Sequence, residues 1–82
     1  MGTVVATLYK VECNFKWDED VDSSSSWTFG SLNGARKFVE KRKDTLRWYA
    51  ISGYDYIPCD ENEPDGQLYL GMIYHEFEEN KE

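Results

Sequence analysis

Histidine is almost missing from this sequence: His75 is the only one, and it is accompanied by two cysteines, Cys13 and Cys59, and two prolines. A zinc site needs several Cys or His ligands at short spacing, and a nucleophilic triad needs a base beside the nucleophile together with a third group to orient it; neither set can be assembled from these residues. Nor is there a glycine motif of the kind that cradles phosphate, since Gly30 and Gly34 lack the Lys-Ser/Thr continuation that such a loop requires. No apolar run approaches the roughly 20 residues of a membrane span. The opening stretch TVVATLYKVECNF carries charge too early for a signal peptide, so the expected compartment is the reducing cytoplasm, with both thiols free. Basic residues are also scarce, nine against sixteen acidic, and the formal net charge is -7.

What the chain does have is aromatic side chains: three Trp, six Tyr and four Phe in 82 residues. That is enough apolar surface for one core, but a chain of this length buries only roughly 60% of its unfolded surface and cannot fill two. A single domain over residues 1–82 follows. From Tyr9 to Trp17 the odd positions are Tyr9, Val11, Cys13, Phe15 and Trp17 and the even ones are polar, the period of a half-buried strand. DEDVDSSSS, residues 18–26, reads as a mobile acidic hairpin loop, and WTF, residues 27–29, resumes the sheet. Ser31 can cap a helix, and at about 100° per residue Leu32, Ala35, Val39 and Leu46 fall on one stripe, with Phe38 at its border and Gly34 weakening the first turn. Two further strands, LRWYAISGYDYI and QLYLGMIYHEF, flank the turn-rich PCDENEPDG, and an acidic tail covers about residues 78–82. The expected fold is α+β: an antiparallel four-stranded sheet with one helix packed on one face, in the order β-β-α-β-β.

The charges are segregated along this order. Arg36, Lys37, Lys41, Arg42, Lys43 and Arg47 supply six of the nine basic residues, so residues 31–47 carry +4 while the rest of the chain carries -11. If each element runs opposite to the last, Asp18, Glu19, Asp20, Asp22, Glu76, Glu78, Glu79 and Glu82 gather at one end of the sheet and Asp60, Glu61, Glu63 and Asp65 at the other. Within a basic helix over 36–47, Lys37, Lys41 and Asp44 form an ordinary solvated face, whereas Arg36, Lys43 and Arg47 make a ribbon along the apolar stripe, with Glu40 as an i, i+4 partner of Arg36.

The acidic loops do not make calcium sites. DEDVDS starts like an EF-hand loop, but Ser23 stands where the glycine is required and Phe29 where the bidentate glutamate is required; in DENEPDG, Pro64 occupies the third ligand position. No metal, cofactor or catalytic residue is assigned, and an enzyme is not expected. Cys13 sits at an inward strand position, where cysteine behaves as a small hydrophobe.

Binding is the remaining class. The aromatic residues are first of all core and cross-strand pairs, but the last two strands carry them in both registers: Tyr54 with Tyr56, Tyr69 with Ile73 and Phe77, and Leu68 with Leu70, Met72 and Tyr74. One register is therefore left for water or a partner. The expected function is a small acidic protein-binding module, most concretely an inhibitor that presents carboxylates to the basic groove of a nucleic-acid-acting protein. In size and composition the chain resembles the small acidic proteins that phages use against host nucleases and CRISPR effectors, a likeness of class without a diagnostic motif. Nucleic-acid binding by the basic helix is the alternative, opposed by the repulsion of the -11 remainder. A third arrangement docks that helix on the acidic end of another copy, as a homodimer.

Overall fold

In a computed structural model of the protein, which describes residues 5–57 and 68–80, the elements are β1 (Ala6–Phe15), β2 (Ser25–Phe29), α1 (Leu32–Arg42), a 3-10 turn (Lys43–Thr45), β3 (Leu46–Ile57) and β4 (Leu68–Glu79). All pairings are antiparallel, and the strands lie side by side in the order β2-β1-β3-β4. The expected β-β-α-β-β order and α+β class are thus found, in a small compact domain. Asp60, Glu61, Glu63 and Asp65 lie outside the described residues, as do Cys59 and Glu82.

The period of two in β1 produces the core. Val11 and Cys13 are fully buried and cluster with Ala35 and Val39 of α1 and with Leu46, Tyr49 and Ile51 of β3, while Trp27, Phe29 and Phe38 close over the cluster with centroid separations of 4.7 Å (Trp27 to Phe38) and 5.3 Å (Phe29 to Phe38). Each fully buried Val, Leu or Ile contributes about 1.5–3 kcal/mol relative to an exposed one. Trp17, expected in the same inward register, lies beyond the end of β1; it is 72% exposed and stacks on Phe15 at 5.1 Å.

Ser31 caps α1 as its sequence position implies: its backbone is extended and its Oγ accepts from the Gly34 N–H at 3.0 Å. Gly34 has a role here besides its low helix propensity. A Cβ on it would sit 3.2 Å from that Oγ and 3.6 Å from the Phe29 ring, so its bareness lets the cap close. Lys41 and Arg42 occupy the last turn, where positive charge suits the helix dipole.

Two expectations fail by register. The helix expected over 36–47 ends at Arg42, where the chain tightens into the 3-10 turn and Thr45 Oγ1 donates to the Arg42 carbonyl at 2.7 Å. Leu46 is buried as foreseen, but as the first residue of β3 rather than as part of a helical stripe. In β4, shifts of register opposite Gly53/Tyr54 and Asp55/Tyr56 break the simple alternation. Met72 therefore pairs with Tyr54 and Tyr74 with Gly53, which places Met72 and Tyr74 on opposite faces instead of together. Gly53 is needed at that point, because a Cβ there would lie 2.7 Å from the Tyr9 ring, which meets Tyr74 edge-on above it.

Candidate functional site

β1 ends, β3 begins and β4 ends at one end of the sheet, so the connection between β1 and β2 lies at the same end as the C-terminal end of β4, with β3 between them. This brings two of the expected acidic groups to the same end of the domain.

The first group is Asp18, Glu19, Asp20 and Asp22, and its backbone is tied down. Asp18 Oδ1 accepts from the Asp20 N–H at 2.9 Å and Asp20 Oδ1 from the Asp22 N–H at 3.0 Å, two consecutive turns closed by aspartate side chains. Ser23 Oγ donates to Asp18 Oδ2 at 2.6 Å. Beneath them Asn14, 1% exposed, donates from Nδ2 to the carbonyls of Asp20 at 3.1 Å and Ser23 at 2.8 Å. Its Oδ1 accepts from Arg47 NH1, and Arg47 NH2 donates to the carbonyls of Asp18 at 3.2 Å and Lys16 at 3.3 Å. The Ser23 hydroxyl above all, then the Asp20 amide and Arg47, hold the Asp18 carboxyl below its ordinary value. Glu19, Asp20 and Asp22 are exposed. The loop spans fewer residues than the expected 18–26, because β2 already starts at Ser25.

Glu76, Glu78 and Glu79 form the second group. All three belong to β4, so the expected tail at 78–82 is strand up to Glu79. The Tyr49 hydroxyl donates to Glu78 Oε2 at 2.5 Å and, more weakly, to Glu76 Oε2 at 3.4 Å; the Tyr74 hydroxyl donates to Glu76 Oε1 at 2.6 Å. Burial, followed by these two carboxylates, pushes the Tyr49 hydroxyl well above the usual tyrosine range. Tyr74 is raised too, chiefly through its hydrogen bond to Glu76.

The basic ribbon of Arg36, Lys43 and Arg47 does not exist as a helical feature, because the three residues sit on three different elements. Arg36 lies on α1, where its NH2 bonds the Tyr74 hydroxyl and reaches Glu76 Oε1 at 3.2 Å. Lys43 is exposed on the 3-10 turn, at the rim of a cleft of about 260 Å³ lined also by Leu46, Trp48, Tyr49 and Glu78. Arg47 belongs to β3 and is spent on Asn14 and the acidic loop. The Arg36–Glu76 pair is half exposed and contributes at most about 1 kcal/mol. It nevertheless removes Arg36 from the charge offered to a polyanion.

Asn14 and Tyr49 are the residues that sequence reasoning missed, and Tyr74, expected only as part of an apolar register, is found bonded to Arg36 and Glu76. Asn14 is an even-numbered polar position in β1, outwardly like Lys10 and Glu12, and its burial follows from the loop folding back over it. The alternate register of the sheet carries the Lys10–Glu12 pair at 3.6 Å, Ser52 Oγ 3.2 Å from His75 Nδ1, and Trp48 against Phe77 at 6.0 Å. Among the described residues no group of three or more His, Cys, Asp or Glu is placed to hold a metal ion, and no helix is long and apolar enough to cross a membrane. Comparison of the chain with protein-family models, curated proteins and solved structures found no match.

Proposed function

We propose that this chain is a non-enzymatic, cytoplasmic protein-binding module, an inhibitor that sets carboxylates against the basic groove of a nucleic-acid-acting protein. In this reading α1 covers one face of the sheet only, and the acidic end of the domain carries the contact. The observation that supports it most is the bracing of the loop by Asn14 and Arg47, which fixes the backbone while Glu19, Asp20 and Asp22 remain exposed. Carboxylates on a braced loop lose less freedom on binding than the same groups on a slack one. With a formal net charge of -7 behind them they also steer encounter with a positive surface.

Nucleic-acid binding through Arg36, Lys43 and Arg47 is less well supported, since two of the three side chains are occupied within the domain. The same occupation weighs against a homodimer in which the helix seeks acidic groups on another copy.

The test is affinity capture from a cell lysate with the immobilised wild-type chain and with a Glu19→Gln/Asp22→Asn variant. The captured protein should be displaced by added duplex DNA, should release as salt is raised, and should be recovered in lower yield on the variant. A captured protein that duplex DNA does not displace, or that the variant holds equally well, would overturn the reading. Direct retention of duplex DNA by the purified chain would favour the basic alternative.

A further inference from the structure

The two edges of the sheet differ. β2 is five residues long and begins Ser-Ser, so it offers little to a passing strand. β4 is twelve residues long, contains neither proline nor lysine, and has no strand on its outer side among the described residues. Four of the seven large apolar residues exposed in the described part of the protein, Leu70, Met72, Ile73 and Phe77, lie on this one strand, each 50–56% exposed. Long edge strands are usually blunted by shortness, lysine or proline. On β4 only the register shifts and the glutamates do that work, and glutamates repel some strands while attracting others.

We propose that the outer edge of β4 is a pairing site for an extended basic segment of a protein partner, which adds a fifth strand to the sheet. This deepens the function proposed above and rests on it for the charge of the partner. The side chains opposite one another across an antiparallel or parallel ladder share a face, so the pattern of β4 dictates that of its guest. Glu78 lies exposed on the face that carries Tyr49, Tyr74 and Arg36 and calls for Lys or Arg opposite it, Glu76 on the same face being already paired with Arg36. Met72, His75, Phe77 and Glu79 lie on the other face, opposite Tyr54, Ser52, Ala50 and Trp48, and call for apolar side chains with a basic one opposite Glu79. The guest is therefore a segment in which basic and apolar residues alternate. A second copy of this chain is disfavoured as the occupant, because each copy brings a formal net charge of -7 to the interface.

The probe is a synthetic peptide matching the twelve residues of β4 in length, with lysine and valine alternating. Two N-methylated forms accompany it, one methylated on the backbone nitrogen of every lysine and one on that of every valine. Alternate N–H groups of a strand point to opposite sides, so only one of the two methylations removes the donors that face β4. That form should bind at least about tenfold more weakly, since losing even two or three of its six β4-facing donors costs that much, while the other binds like the parent. Bound parent peptide should also slow amide exchange along β4 and leave the 18–23 loop unchanged, and Phe77→Lys should weaken binding without lowering the melting temperature. Equal effects of the two methylations, protection confined to the loop, or no binding at all would overturn the proposal. So would a free protein that sediments as a dimer with β4 already protected, which would make a second copy the occupant. Because the probe acts at β4, loss of this site and loss of the loop function are read separately: Glu19→Gln/Asp22→Asn should leave peptide protection of β4 in place.

Discussion

Replacing Arg47 with alanine tests the central claim about the acidic loop. The guanidinium satisfies Asn14 Oδ1 inside the domain and the carbonyls of Lys16 and Asp18 nearer the surface. On removal, water can reach the two carbonyls, but Asn14 is 1% exposed and its acceptor is left without a donor. A buried unsatisfied acceptor costs about 1–3 kcal/mol, so the expected destabilisation is about 2 kcal/mol. For a domain of this size each kcal/mol lowers Tm by about 4–8 °C, giving a fall of about 8–16 °C. Calorimetry measures it, and amide exchange at Asp20, Asp22 and Ser23 reports the loosening of the loop. Arg47→Lys should recover only part of the loss, because an ammonium cannot fork between Asn14 and the loop. Asn14→Ala/Arg47→Ala should cost less than the two single changes added together, since the orphaned acceptor is then gone. A Tm shift within about 2 °C for Arg47→Ala, or strict additivity in the double variant, would refute the reasoning.

Val39→Asp should abolish the cooperative melt, because it puts a charge at a position 3% exposed in the seam between helix and sheet; an unchanged melt would mean that the seam is elsewhere. Neither EDTA nor a reducing agent should shift the melting temperature, and a fall of many degrees with either would reveal a structural metal or disulfide. Alkali should destabilise the fold through Tyr49: its hydroxyl is raised in the folded state, so the stability it contributes is complete below the ordinary value of 10.0 and is lost as pH climbs above it. Tyr49→Phe should flatten that loss, as followed by circular dichroism across an alkaline titration. Asp18 has the opposite sign: its carboxyl is lowered in the folded state, so its contribution is complete above the ordinary 3.8 and fades as pH falls through the depressed value. Asp18→Asn should therefore weaken the pH dependence of stability at the acid end, measured by urea unfolding at several pH values.

The strands and the helix were legible because their signals are local. Alternation in Tyr9–Phe15 and the Ser31 cap both depend on residues within one or two turns of chain. The end of the helix was not legible, because the apolar period runs on through Leu46 in either conformation; what decides is that Leu46 can pair with Phe15 across the sheet, a contact 31 residues away in sequence. The faces of β4 were misassigned for a related reason, since a shift of register leaves no mark in composition beyond a glycine such as Gly71, whose φ is 141°. At the candidate site the acidic residues were found by counting charge, whereas the employment of Asn14 and Arg47 depends on how the loop meets β3, and that of Arg36 on how α1 meets β4. Charge shows in a sequence, but its neutralisation by partners far along the chain does not.

The central pair of the sheet, β1 with β3, bears on how the chain comes into being in the cell. The strand partners that β1 finds on β3 lie from 31 residues away (Phe15 with Leu46) to 50 (Ala6 with Tyr56). At about 5–20 residues per second of synthesis, β1 waits roughly 2–10 seconds for its partner to be made. During that interval the β1–β2 hairpin, marginal by itself in water, exposes Val11, Cys13 and Trp27. A nascent chain that ends before β3 lacks the strand on which β1 depends for most of its pairing, since β1 meets β3 along ten residues and β2 along only five.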